Sequence, residues 1–277
     1  MIKQLLYAEF IKIVKQSKTY YALVAIAVIE LLIFITAYYQ GSTILDLLLN
    51  TLRQNFYFEG SLLNGNLILY IVLNSLWFNV PLILMIVTSG LLTDEHKDGT
   101  LQTVMLQAVN KWKFILAKYI TAAIFTLMVI GFMMLSSFAL AYAVFGSGDL
   151  VVYIGTLNFF EAKEAFNRIC WAFASGSIAM IFYSTASITI AIFVKEAAKT
   201  WIASALFLII TNLLLKADFL PAGLNSFFFP KLIDTWQQLF NYKIDWQQIG
   251  LNNFMLLLYC FGFAALGIFA FRKKDIG

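Results

Sequence analysis

Residues 119–145 read YITAAIFTLMVIGFMMLSSFALAYAVF, a stretch without a single charged side chain. Crossing the roughly 30 Å hydrocarbon core of a bilayer takes about 20 residues of helix, and this stretch is long enough. Lipid offers the backbone no hydrogen-bond partners, so a crossing segment must satisfy its own N–H and C=O groups, as a helix does. A membrane strand would alternate apolar and polar residues over about ten positions, whereas Ala122 to Leu135 is almost continuously apolar. The stretch is expected to be a transmembrane helix.

Five more runs of the same character accompany it, near residues 20–39, 67–92, 169–194, 200–215 and 249–271, and the one at 200–215 is short. Six crossings place both chain ends on one side. The whole composition agrees, with 61% hydrophobic, 17% aromatic and only 12% charged among 277 residues, against roughly 25% charged in soluble domains. A soluble domain of this length hides only about three quarters of its surface and would be left with large apolar patches in water. A mean hydropathy of +0.83 excludes disorder, and three prolines with fifteen glycines exclude low-complexity architectures. Cys170 and Cys260 sit in apolar runs and suggest neither a disulfide scaffold nor a metal knuckle. The first run starts too late and is too long for a removable signal peptide. The expectation is an all-α polytopic membrane protein, one domain over residues 1–277.

Lys and Arg near span ends resist transfer across the membrane. Lys3, Lys12, Lys15 and Lys18 precede the first span, and Lys97, Lys111, Lys113 and Lys118 lie between the second and third. Lys195 and Lys199 follow the fourth, and Arg272, Lys273 and Lys274 close the chain. The other face holds Arg53, Lys163, Arg168, Lys216, Lys231 and Lys243, so both termini are expected to be cytoplasmic. The net charge of +4 reflects topology and implies no nucleic-acid partner.

Outside the spans, residues 2–18 place Ile2, Leu5, Leu6, Phe10, Ile13 and Val14 at helical spacing, which reads as an amphipathic interface helix serving as membrane anchor or docking surface. Residues 93–118, TDEHKDGTLQTVMLQAVNKWKFILAK, are the most structured polar stretch. Gly99 marks a turn, Thr100 an N-cap of a short helix to about Gln107, and a second helix starts near Lys111. His96, between Glu95 and Lys97, reads as a surface residue of a solvated loop. Residues 40–66 suggest an interfacial helix, and 146–168 carry Glu161, Lys163, Glu164 and Arg168 ahead of span four. Residues 216–248 contain FLPAGLNSFFFPKLIDTW; short apolar segments broken by proline are commonly re-entrant, though an aromatic belt at the headgroups fits Phe227 to Phe229 and Trp236 as well.

None of the fifteen glycines is followed by lysine, so the chain has no P-loop. One histidine and two separated cysteines offer no metal site, and no catalytic residues are nominated. Glu30 is the one charged residue well inside a span, where a carboxylate is costly and marks either function or a hydrogen bond to a neighbouring span. Span four carries Ser175, Gly176, Ser177, Ala179, Ser184, Thr185, Ser187 and Thr189, by default a helix-packing surface.

Glu95, Gly99, Thr100, Leu101 and Lys118 form an acidic residue, a Gly-Thr turn, an amphipathic helix and a lysine entering the next span. That pattern resembles the permeases of ABC-2 type transporters, and the resemblance extends over the basic N-terminal helix, the six spans and the closing Phe271 to Asp275. Such permeases often have proline after the loop helix, where this chain has Ala108, Val109 and Asn110. The resemblance implies a multi-pass subunit of a bacterial cytoplasmic membrane that pairs with a second copy or a homologous permease. It implies two separate ATP-binding subunits, which carry the ATP and Mg and grip Asp94, Glu95, His96, Asp98, Gly99, Thr100, Leu101, Val104 and Lys118. It also implies an outer gate at Phe219, Pro221, Phe228 and Pro230. A lipid-active membrane enzyme, motivated by Glu30 and the aromatic segment, and a non-transporting scaffold or sensor remain open alternatives. The many Phe and Tyr residues suit an amphipathic or apolar cargo, such as a drug, antimicrobial peptide or lipid.

Overall fold

In the computed structural model, which describes residues 2–53, 62–106, 110–154, 156–215 and 227–273, six helices are long and apolar enough to cross a membrane. Helix α1 (Ile2–Lys15) precedes α2 (Ser17–Arg53), whose crossing part is Ser17–Gly41. Then come α3 (Gly65–Lys97), the short α4 (Thr100–Leu106) and α5 (Lys111–Phe145). A hairpin of β1 (Leu150–Ile154) and β2 (Thr156–Phe160) leads to α6 (Ala162–Val194) and α7 (Ala197–Leu215). The chain closes with α8 (Phe229–Ile233), a 3-10 helix (Thr235–Phe240) and α9 (Trp246–Lys273).

The helices outrun the apolar runs because polar residues at their ends satisfy the free backbone groups there. Asn64 caps α3 by accepting from the Leu67 N–H at 3.1 Å, and Asn110 caps α5 by accepting from Trp112 at 3.2 Å, as short polar side chains do at N-caps. Three expectations need correction. Residues 40–53 form no separate interfacial helix, since α2 runs on unbroken to Arg53. The all-α expectation misses the hairpin, in which Leu150 pairs with Phe160 and Ile154 with Thr156. Apolar LVVYI and TLNFF look like span flanks in sequence, yet they are too short to cross and pair with each other instead. Glu164 and Arg168 lie within α6, not in a loop ahead of it.

Helix α6 is the most buried of the six and packs against α3, α5, α7 and α9. Its small and hydroxyl residues make those contacts. Thr126 and Ser184 are hydrogen-bonded at 2.7 Å, Tyr119 and Thr189 at 2.8 Å, and Ser187 donates to the Met85 carbonyl at 2.6 Å. Such bonds average about 0.6 kcal/mol each in a membrane, so close packing carries the rest. Gly176 shows how close: a Cβ there would stand 1.7 Å from the Trp77 ring of α3.

The bundle has two unlike ends. At one, α4 joins α3 to α5, α1 lies alongside, Lys18 stands over the Trp201 ring of α7 at 5.3 Å, and Phe271 of α9 meets Phe114 at 6.1 Å. Both α1 and the end of α9 therefore lie at this α4 end. At the other, Asn66 donates to the carbonyls of Gly148 (2.7 Å) and Ala162 (3.2 Å) and accepts from the Tyr142 hydroxyl at 2.8 Å. These bonds tie the starts of α3 and α6 and the end of α5 to the hairpin.

Candidate functional site

Helix α1 has one acidic residue, Glu9, and Lys12 one turn later, so both project from the same face. The last turn of α3 brings Asp94 and Glu95, and Lys118 lies two turns into α5. Packing joins these residues in one cluster. The Lys118 ammonium is fully buried and donates to Glu9 Oε2 at 2.9 Å and to the Leu91 carbonyl at 2.6 Å. It also stands 2.9 Å from Glu95 Oε2 as a charge contact. Lys12 donates to Glu95 Oε1 and lies 3.8 Å from Glu9. Beside this quartet, Lys18 at the foot of α2 donates to Asp94 Oδ1 at 2.5 Å.

Two carboxylates and two ammoniums make the quartet neutral, which is what allows it to be buried. Each ion alone would cost several kcal/mol to remove from water. Burial by itself lowers the pKa of Lys12, but the charges of Glu9, Glu95 and Asp94 and the bond to Glu95 outweigh it and raise the ammonium above its ordinary 10.5. Lys12 is thus held charged.

The sequence-named residues divide accordingly. Asp94, Glu95 and Lys118 come together. Glu95 is buried inside the bundle, so the solvated-loop reading fails for it: α3 extends through Lys97 and turns that side chain toward α1 and α5. His96 is half-buried in the same turn. Asp98 closes α3, its N–H donating to Asp94 O, and Gly99 follows with φ +67. Thr100 is the first residue of α4 and not its cap. Leu101 anchors α4 in the core, Val104 packs half-buried against it, and Thr100, Gln102, Thr103 and Leu106 are exposed. Glu9, Lys12 and Lys18 were not singled out as partners of Lys118 in the sequence; the available signal was one acid among the lysines of α1, set one turn from Lys12.

Such a cluster holds no nucleophile with its base. Among the described residues no group of three His, Cys, Asp or Glu could hold a metal ion. The arrangement joins both helices that flank α4 to α1. Glu30 is a separate feature, 1% exposed on α2 and hydrogen-bonded by Ser136 at 2.8 Å and by Ser137 of α5.

Of the gate residues, Phe219 and Pro221 lie outside the described residues. Pro230 occupies the first turn of α8, where its missing N–H costs nothing. Phe228 packs on Phe229 at 5.7 Å, and Phe229, which was not among the expected gate residues, stacks on Phe207 of α7 at 6.1 Å and meets Phe182 of α6 at 5.4 Å. Trp236 and Phe240 are buried, with Trp236 4.8 Å from Trp77. Trp77 lies twelve residues into α3, about 18 Å from its start. Helices of the same chain cover Trp236, so an aromatic belt at the headgroups does not describe that ring, whereas Phe227 is exposed.

A family model described as "ABC-2 family transporter protein" matches residues 5–214, a stretch that includes most of α1, the ion cluster, α4 and the hairpin. No curated protein matches the chain.

Proposed function

The chain belongs to the ABC-2 transporter family, and on that premise we propose that it is the membrane-spanning permease subunit of an ATP-driven exporter. Two permeases, this chain with a second copy or a homologous one, enclose the path. Two separate ATP-binding subunits, which hold the ATP and Mg, dock at the α4 end. That end and both termini face the cytoplasm of a bacterium, and the hairpin end faces outward, where the segment after α7 forms the outer gate.

The observation that carries this reading is the joint of buried Glu9, Glu95 and Lys118 with the partly exposed Lys12. Exposed residues of α4 offer a surface to a motor, and the joint behind it passes the motor's displacement into α1, α3 and α5 as one body. Rigid transmission requires contacts that do not yield under load, and buried ion pairs are costly to separate.

Cargo of amphipathic or apolar character is supported by a cavity of about 720 Å³ between α2, α3 and the hairpin, walled by Ile29, Leu32, Ile33, Leu67, Ile71 and Val152. Its size falls within the range of small-molecule sites, and its mostly apolar walls, where Thr36, Tyr70, Ser75 and Tyr153 carry the hydroxyls, offer a long sugar polymer little to bond.

The experiment is purification of the tagged chain from its own cells in mild detergent, with a photo-cross-linker at Gln102. A cross-linked ATP-binding subunit whose hydrolysis responds to cargo is the expected result. Recovery of the chain without one, or labelling of Gln102 by an impermeant reagent in intact cells, would overturn the reading.

A further inference from the structure

Arg168, in the first turns of α6, is 5% exposed although it carries a full charge. Its five N–H groups are all engaged. Nε and Nη2 donate to Glu164 Oε1 at 2.9 and 2.6 Å. Nη1 donates to the carbonyls of Leu239 (2.5 Å) and Asn241 (2.7 Å), and Nη2 reaches the Tyr242 carbonyl at 3.3 Å. The guanidinium carbon stands 4.0 Å from the centre of the Phe160 ring of β2. From the same strand, Asn158 Nδ2 donates to the Phe240 carbonyl at 3.3 Å.

Side chains from α6 and β2 therefore hold the carbonyls of residues 239, 240, 241 and 242. The carbonyls of residues 239 and 240 are acceptors that a helix leaves unsatisfied at its end, here the end of the 3-10 helix Thr235–Phe240, and those of 241 and 242 follow directly after it. A cation placed there also meets the negative pole of the peptide dipoles. At its other extremity the 3-10 helix is seated by shape, with Trp236 on Trp77 and Trp77 over Gly176. One attachment is apolar contact and the other is a set of discrete hydrogen bonds converging on one side chain.

We propose that Arg168 is the positioning residue that pins the segment 235–242 in a closed seat against α6, and that release of these carbonyls by Arg168 opens the hairpin end. What passes when it opens rests on the permease reading above; the pin itself does not. Lysine is a poor substitute, because a point charge with three donors cannot span carbonyls that the planar guanidinium fork reaches together.

The test uses the full chain in its native membrane with Cys170→Ser and Cys260→Ser, and a single cysteine replacing Thr235, which is buried. The rate of labelling by a membrane-impermeant maleimide is read. Arg168→Gln is expected to raise it by about tenfold or more, the effect of losing charged hydrogen bonds to the segment. Arg168→Lys should fall between the two, and Asn158→Ala should give a smaller rise. A control cysteine replacing Thr121, buried in α5, keeps its rate, which general loosening of the bundle would not allow. If Arg168→Gln does not accumulate, Asn158→Ala decides the matter. Unchanged labelling at position 235 in whichever folded variants are obtained would overturn the pin. Failure to recover an ATP-binding subunit would sink the permease reading and leave the labelling result standing.

Discussion

At the α4 end Lys118 faces Glu9 and Glu95 side chain to side chain across three helices, whereas at the hairpin end Arg168 grips the backbone of a single segment. The first arrangement ties three elements to one another through several ion pairs, so the group can shift as a body and stay paired. The second fixes where one segment lies. In the proposed exporter the first attachment would carry force and the second would hold the exit.

The comparison breaks most sharply at Lys118. Replacing it with Met leaves buried Glu9 and Glu95 with only the partly exposed Lys12 as their cation, and removing one partner of a buried pair costs up to about 3–5 kcal/mol. Thermal unfolding in detergent should show that loss or a failure to accumulate; wild-type stability would mean the quartet is not a unit. The next effect lies at the opposite end, where burial pushes the Asp234 carboxyl from its ordinary 3.8 up to about 6. An acid whose folded pKa is raised stabilises when protonated. Its contribution is complete below about pH 4 and lost as pH rises through about 6, a swing on the order of 3 kcal/mol. Asp234→Asn should flatten stability across that window relative to the parent, and parallel curves for the two would count against it.

Gly99 sharpens the contrast within the α4 end. Its φ of +67 costs a side-chain-bearing residue about 1–2 kcal/mol, and a Cβ there would meet nothing within 4 Å. Gly99→Ala should therefore spare assembly of the chain while lowering transport per ATP hydrolysed with the partner subunit, and an unchanged ratio would place the turn outside the coupling. The smallest effect belongs to the half-exposed pair of Lys18 and Asp94. Each single reversal should cost at most about 1 kcal/mol, and the double reversal should restore most of it, an exchange that Arg168 with its backbone acceptors does not permit.

Much of this was legible in the sequence, for particular reasons. The spans announce themselves because about 20 consecutive apolar residues have few other uses. The turn at Gly99 was visible because few residues other than glycine adopt a positive φ. Glu9 and Lys118 lie 109 positions apart, and no local pattern predicts that they meet. Glu95 was misread because a charged residue beside His96 and Lys97 looks solvated until the helix direction turns it inward. LVVYI and TLNFF gave no strand signal of their own, since their apolar content merges with the neighbouring spans. Arg168 was noticed only as a charge on one face, because its acceptors are carbonyls, which sequence does not distinguish.

Helix α2 continues without interruption from Ser17 to Arg53, 37 residues, or about 55 Å of rod. Such a rod is nearly twice the depth of the oily layer it pierces. Pivoting about its foot beside Lys18 and Asp94, it would magnify small motions: a swing of 10° carries its tip by about 10 Å. A spin label near Arg53 would thus serve as the needle of a gauge whose bearing is the salt-bridged base.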